Sequence, residues 1–202
     1  MRIVIKIGTS TLAHPTGHLN IRRVEELCKV ISDIKNAGHQ VILVSSGAIG
    51  MGVGKLGLSC RPKDIPTKQA AAAVGQCELM YTYDKLFGEY NHTVAQLLIT
   101  GDDVANEKRH NNFRNTLNRL LELDAIPILN ENDTVATDEI LALGGGSSSS
   151  QGTGGMATKL RAAQICVKSG CSMVITNGIQ PDNLYDILEG KSVGTRFAGG
   201  SV

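Results

Sequence analysis

Lys6, Asp133 and Lys159 are the side chains of this sequence whose types and settings could do chemistry together. Lys6 lies in Ile3-Val-Ile-Lys-Ile7, where four of five residues are β-branched and apolar, and Gly8 follows. An ammonium buried in such a run is costly unless an anion meets it. Lys6 is therefore expected at the carboxyl end of a strand, facing a phosphate; a stem snorkelling to solvent is the other reading. Lys159 closes Gly152-Thr-Gly-Gly-Met-Ala-Thr-Lys159, a glycine turn into a helix with a lysine near its start. A helix N-terminus and an ammonium together suit an anionic phosphate. Asp133 ends the cluster Asn130-Glu-Asn-Asp133. Two lysines and an aspartate suit phosphoryl transfer, which needs charge neutralised across donor and acceptor oxygens more than covalent help. Asp133 would sit between the lysines and hold them in place. The Asn/Asp cluster would serve equally as a turn or a helix cap.

Two familiar nucleotide signatures are not met. The spacing G-x-x-x-x-G-K-S/T fails around Lys159, and no G-x-G-x-x-G follows the first strand, which argues against a dinucleotide fold. Ser46-Gly47 opens Gly47-Ala-Ile-Gly-Met-Gly-Val-Gly54, a glycine-rich run directly after a buried strand. Its backbone N–H groups could meet an anion, or it could be a flexible connector.

The elements that must position these groups alternate. The run around Lys6 is apolar at nearly every position and reads as a strand covered on both faces. A polar loop from Thr9 to Asn20 leads to a helix capped by Asn20, with Ile21, Val24, Leu27, Cys28, Ile31 and Ile34 at helical spacing and a stop at Gly38. Gln40–Ser46 is a second buried strand, completing a βαβ unit. Thr67–Phe87 reads as a long helix whose alanines point to close packing. His92–Ile99 is a third strand, Gly101–Arg109 a charged exposed stretch, and Asn111–Leu123 a helix with Phe113, Leu117, Leu120 and Leu121 inward. Ala125–Leu129 is a fourth strand, with Asn130 to Asp133 at its end. After seven glycines and serines in a row from Gly144 to Ser150, the chain resumes. Met156–Lys168 is a helix, Ser172–Thr176 a strand, Asp182–Leu188 a short helix with an acidic cap and Val193–Phe197 a last strand. This order predicts a three-layer α/β/α sandwich with a mainly parallel central sheet. Lys6-Ile-Gly8, Ser46-Gly47 and Asn130 to Asp133 then stand at the carboxyl edge, where open α/β sheets bind ligands.

Composition excludes several classes. With 202 residues the chain can bury a proper core, and its formal net charge of +1 gives no nucleic-acid footprint. No apolar run reaches the roughly 20 residues of a membrane span. The amino end shows no signal-peptide pattern, and five scattered cysteines without C-x-x-C give neither a disulfide framework nor a zinc site. A cytoplasmic location is the expectation.

The chain resembles the glutamate 5-kinases of the amino acid kinase superfamily. The resemblance rests on Val4-Ile-Lys-Ile-Gly-Thr-Ser10, Val44-Ser-Ser-Gly-Ala-Ile49, Lys68-Gln-Ala-Ala-Ala-Ala-Val-Gly-Gln76, Gln96-Leu-Leu-Ile-Thr100, Asn130-Glu-Asn-Asp-Thr-Val-Ala-Thr-Asp-Glu-Ile140 and Gly152 to Lys159, in the family's order. It implies ATP-dependent phosphorylation of the γ-carboxylate of L-glutamate, the first step toward proline, with ATP and Mg2+ as cofactors and proline as feedback inhibitor. Lys6, Lys159 and Asp133 would be catalytic. Ser46, Gly47, Ala48, Asn130 and Asp133 would bind glutamate. Lys6, Gly8, Thr153, Gly154, Gly155, Met156, Ala157, Thr158 and Lys159 would bind ATP; no metal-ligating residue is implied. No histidine is given a role, because the substrate carboxylate is itself a nucleophile. A homo-oligomer, dimer or tetramer, is the implied assembly.

The chain departs from the family after Asp138-Glu-Ile140. A G-D-N-D segment, two strands and an S-D-x-x-G-L-Y turn normally follow, whereas here Ile140 runs straight into Leu141. The expectation is a single kinase domain over residues 1–202 that lacks part of its nucleotide half between Ile140 and Leu141, with no C-terminal PUA domain. A true deletion would uncover interior strands, a large loss for a marginally stable protein, so omission of residues from the sequence is favoured. Two other readings stand beside the kinase: a non-catalytic glutamate- or proline-binding remnant, and a superfamily kinase with another acceptor.

Overall fold

The computed structural model describes residues 1–14, 16, 18–136 and 156–199. The junction between Ile140 and Leu141, the glycine–serine stretch and the predicted phosphate residues Thr153, Gly154 and Gly155 lie outside the described residues, as does the side chain of Ala157.

Four parallel strands form the central sheet: β1 (Arg2–Lys6), β2 (Gln40–Val44), β3 (Val94–Ile99) and β4 (Ile126–Glu131), in the order β1-β2-β4-β3. Helices α1 (Thr9–Leu12), α2 (Ile21–Asn36), α3 (Ala48–Lys55), α4 (Ile65–Gly88), α5 (Gly101–Ala105) and α6 (Glu107–Glu122) fill the connections. After the undescribed stretch come α7 (Met156–Lys168), β5 (Met173–Ile175), α8 (Asn183–Leu188) and β6 (Thr195–Phe197). The expected α/β architecture with a parallel central sheet is therefore present.

The helix boundaries follow local chemistry. Asn20 accepts from the Arg23 amide at 3.3 Å and Asp64 from the Thr67 amide at 2.9 Å, each satisfying an orphan donor of a first turn. Gly38 ends α2 with φ +90°, open to glycine at no steric cost. Above one face of the sheet, α2 and α4 pack on each other and on the strands. Val24, Leu27, Ile31, Leu79, Tyr83 and Phe87 meet Ile5, Val41, Leu43, Ile126 and Ile128 there.

Several expectations need correction. β1 is an edge strand and is not covered on both faces: Ile5 is buried, but Val4 on the opposite face is 61% exposed. The Thr9–Asn20 loop contains a helical turn whose Leu12 is fully buried, and an Ala13–Leu19 bridge closes it. Ile21 faces solvent. The exposed stretch from Gly101 is helical, held by a capping box between Thr100 and Asp103. Asp182 precedes α8 without a side-chain cap bond. β5 and β6 pair antiparallel with each other and do not join the four-stranded sheet.

The glycine-rich run 47–54 is neither a loose connector nor an open cradle. From Ala48 on it is helix α3, and Gly52 is there for contact with α4. A Cβ on Gly52 would stand 1.8 Å from the Ala71 carbonyl oxygen, and one on Gly75 would stand 1.8 Å from that of Ala48. The two backbones touch, which only hydrogen at these positions allows.

Candidate active site

Strand register brings three of the predicted segments side by side. Lys6 of β1 is paired with Val44 of β2, and Val44 with Leu129 of β4. The ladder runs one step further, the Ile7 amide donating to the Val44 carbonyl and the Ser45 amide to the Leu129 carbonyl, both at 2.8 Å. Gly8 and Ser46-Gly47 thus leave the sheet beside the end of β4, where Asn130 stands paired with Leu98, all at the carboxyl edge as expected. Lys6 is exposed, and its Nζ lies 3.9 Å from where a Cβ on Gly8 would be, so the ammonium curls over the loop at the strand end. Glycine at position 8 leaves room there for a ligand oxygen.

Ser46 is half-buried, and Gly47 behind it has φ +103°, the left-handed value that turns β2 into α3. No side chain caps α3, so the first amides of that helix end face the same edge uncapped. Thr9 of α1 lies against this corner, its Cγ2 3.5 Å from the Cβ positions of Gly47 and of Gly50. Beneath it, buried Ser45 and Tyr83 share a hydroxyl hydrogen bond of 2.9 Å. Burial pushes the Tyr83 phenol well above its ordinary range, with the Ser45 bond opposing, so the pair is neutral.

The Asn130 to Asp133 cluster divides its labour. Asn132 makes the turn: its amide donates to the Ile99 carbonyl at 2.8 Å and its side chain accepts from Thr134 at 2.5 Å. Asn130 is buried, its Oδ1 accepting from the Glu131 amide at 2.9 Å and its Nδ2 donating to Gln76 Oε1 at 2.8 Å. Asp133 is half-buried in the turn. The expected turn is present at Asn132, while Asn130 is tied to Gln76.

Met156, Thr158 and Lys159 are exposed at the start of α7, which packs mainly on β5. Among the described residues no hydrogen bond or ion pair joins Lys159 to Lys6, Ser46 or Asn130. The loop after β5 does reach the β1 side: a Cβ on Gly178 would lie 2.6 Å from Thr11 Oγ1 of α1. Sequence reasoning gave Gln76 no role, placing it in a packing helix and at the end of the Lys68 to Gln76 motif, and missed its bond to Asn130. The available signal was an amide on the stripe of alanines, three residues before buried Leu79.

Residues 1–150 match the family model of the amino acid kinase family. The glutamate 5-kinase of Clostridium perfringens is 42% identical over 254 residues, covering 97% of this chain and 94% of that protein. Those of Clostridium tetani and Listeria innocua are each 42% identical, with 96% and 98% of this chain covered and 93% and 92% of theirs. Alignments of 254 residues exceed the 202 of this chain, so the relatives carry residues that face gaps in it. Among solved structures, a Giardia carbamate kinase superposes with TM-score 0.63 at 14% identity over 98% of both chains. UMP kinase from Ureaplasma parvum gives 0.58 at 18% identity, covering 98% of this chain and 99% of its own. These likenesses carry the fold alone. From the family match and the close relatives together, the chain belongs to the amino acid kinase family and, within it, to the group of the glutamate 5-kinases.

Proposed function

We propose that this chain phosphorylates the γ-carboxylate of L-glutamate with ATP, giving γ-glutamyl phosphate and ADP, the first step of proline biosynthesis. The observation that supports it most is the carboxyl edge of the sheet: an exposed lysine, a glycine, a serine and an amide stand at the ends of three adjacent strands there in register. In this reading Ser46, Gly47, Ala48 and Asn130 hold glutamate, and a γ-carboxylate oxygen attacks the γ-phosphorus of ATP. The bond from that phosphorus to the β,γ-bridging oxygen breaks as ADP leaves. No general base is required, because the attacking oxygen carries no proton. Lys6 and Lys159 neutralise the oxygens of the transferring group, and Asp133 orients the two ammonium groups. Thr153 to Lys159 line the ATP phosphates. Among the described residues no three His, Cys, Asp or Glu side chains gather to hold a metal. Mg2+ enters this proposal with the nucleotide's own phosphates.

The finer reading includes inhibition by proline, a homodimer or homotetramer and a cytoplasmic setting. No helix among the described residues is long and apolar enough to cross a membrane. It also includes the domain reading: one kinase domain in which residues of the nucleotide half are absent between Ile140 and Leu141. The 254-residue alignment with a relative, longer than this chain, supports it.

The test is ADP release with glutamate on protein of verified intact mass. Turnover by the unsubstituted chain, reduced about a hundredfold or more in Lys159→Ala with the fold unchanged, supports the kinase. Unaltered turnover in that variant removes Lys159 from the mechanism. Calorimetric glutamate binding without ATP consumption favours the non-catalytic remnant instead, a reading motivated by the missing residues.

A further inference from the structure

Asn130 cannot hold its orientation at the rim by itself. Its oxygen is engaged by the Glu131 amide at 2.9 Å, which turns its Nδ2 toward Gln76, whose Oε1 accepts from it at 2.8 Å. Both side chains are buried, at 8% exposure each, and 54 residues separate them. Gln76 also leaves its own Nε2 buried without a partner. Leucine or methionine would fill the same space without that orphan donor. What the amide adds is its oxygen. The preceding residue, Gly75, abuts the Ala48 carbonyl just beyond Ser46-Gly47. Two successive residues of α4 therefore touch both segments that would hold the acceptor, the β2–α3 corner and the end of β4.

We infer that Gln76 is a positioning residue of the glutamate site, fixing the Asn130 amide at the rim while Gly75 sets the approach of the Ser46–Ala48 corner. This rests on the glutamate reading given above. Loss of the acceptor leaves Asn130 held by the Glu131 amide alone with its buried Nδ2 unpaired, so it weakens acceptor binding and leaves the nucleotide side untouched.

The experiment measures L-glutamate affinity by calorimetry, together with the 15N–1H signals of the Asn130 side-chain amide. Gln76→Leu, Gln76→Glu, Asn130→Ala and the Gln76→Leu/Asn130→Ala double variant are compared with the unsubstituted chain. Gln76→Leu is expected to weaken glutamate about tenfold or more, the factor that accompanies loss of a buried hydrogen bond, and to shift the Asn130 signals. Gln76→Glu at about pH 6 retains most of the affinity, since a buried carboxyl stays protonated and still offers an acceptor oxygen. In the Asn130→Ala background Gln76→Leu adds nothing. Full affinity and unmoved Asn130 signals in Gln76→Leu, beside weakened binding in Asn130→Ala, overturn the proposal alone; so do additive losses in the double variant. If Gln76→Leu does not fold, Gln76→Glu decides, and a tenfold loss there overturns the proposal. An unsubstituted chain that binds no glutamate, or an Asn130→Ala variant that binds it undiminished, overturns the acceptor-site reading and this inference with it.

Discussion

Residues 1–131 and residues 156–199 are stabilised in different ways. All the largest fully buried side chains among the described residues lie between Leu12 and Ile128, where two helices close one face of a parallel sheet. Among the described residues of 156–199, only Ala163 and Pro181 are buried. Met156, Leu160 and Ile165 stand exposed on α7, falling on more than one side of the helix at its period. This part is attached by the packing of Leu184, Tyr185 and Leu188 on the main core and by Gly178 against Thr11. Burial first, and then a hydrogen bond with Asp33, pushes the Tyr185 phenol up to about 12. The first part encloses its own core, whereas the second needs cover that the described residues do not supply. The acceptor half of the proposed site sits on the first part and Lys159 on the second.

The sharpest test of this contrast is a pair of equal truncations. Leu79→Ala, in the shared core of α2, α4 and the sheet, is expected to cost about 2–5 kcal/mol in denaturant unfolding. Leu160→Ala on α7 is expected to change stability by no more than about 0.5 kcal/mol. Equal losses would erase the distinction. Next in size is Gly75→Ala, which forces a methyl toward the Ala48 carbonyl and must part α3 from α4. A loss of about 1–3 kcal/mol is expected, and a neutral result would show that the two helices separate freely.

Tyr83→Phe is expected to cost about 1 kcal/mol, because Ser45 Oγ is left with only a 3.4 Å approach to the Ser46 carbonyl. The smallest effect is electrostatic. Hydrogen bonds from the Thr100 hydroxyl and amide, and less from Arg109, hold the Asp103 carboxyl below its ordinary range. Its folded value is depressed, so its contribution is present above the unfolded carboxylate value of about 3.9 and is lost as pH falls through the folded value. The difference in melting temperature between the unsubstituted chain and Asp103→Asn should therefore be positive near pH 6 and vanish at the acid end of that window. A difference that persists there would place the benefit of Asp103 elsewhere than in its charge.

The sequence by itself determined the alternation of strands and helices, the cap at Asn20 and the placing of Lys6, Ser46 and Asn130 at strand ends, whereas the Asp64 cap starts α4 at Ile65, two residues before the expected Thr67. Each of these is written in residues close along the chain, by periodicity or by one side chain serving its own backbone. The family itself was legible in motifs spread along the chain. Tertiary structure alone decided that the glycine-rich run after Gly47 forms a helix. Glycine disfavours helix by about 1 kcal/mol per residue, and contact with the backbone of α4 overrides that preference. It alone set the strand order β1-β2-β4-β3, which lays Lys6, Val44 and Leu129 in one row. It also decided that β5 and β6 pair apart from the main sheet, and that Gln76 on a packing helix meets Asn130. Hydrogen bonds and backbone contacts between distant segments depend on how whole elements fit, and no local pattern of residues records that fit.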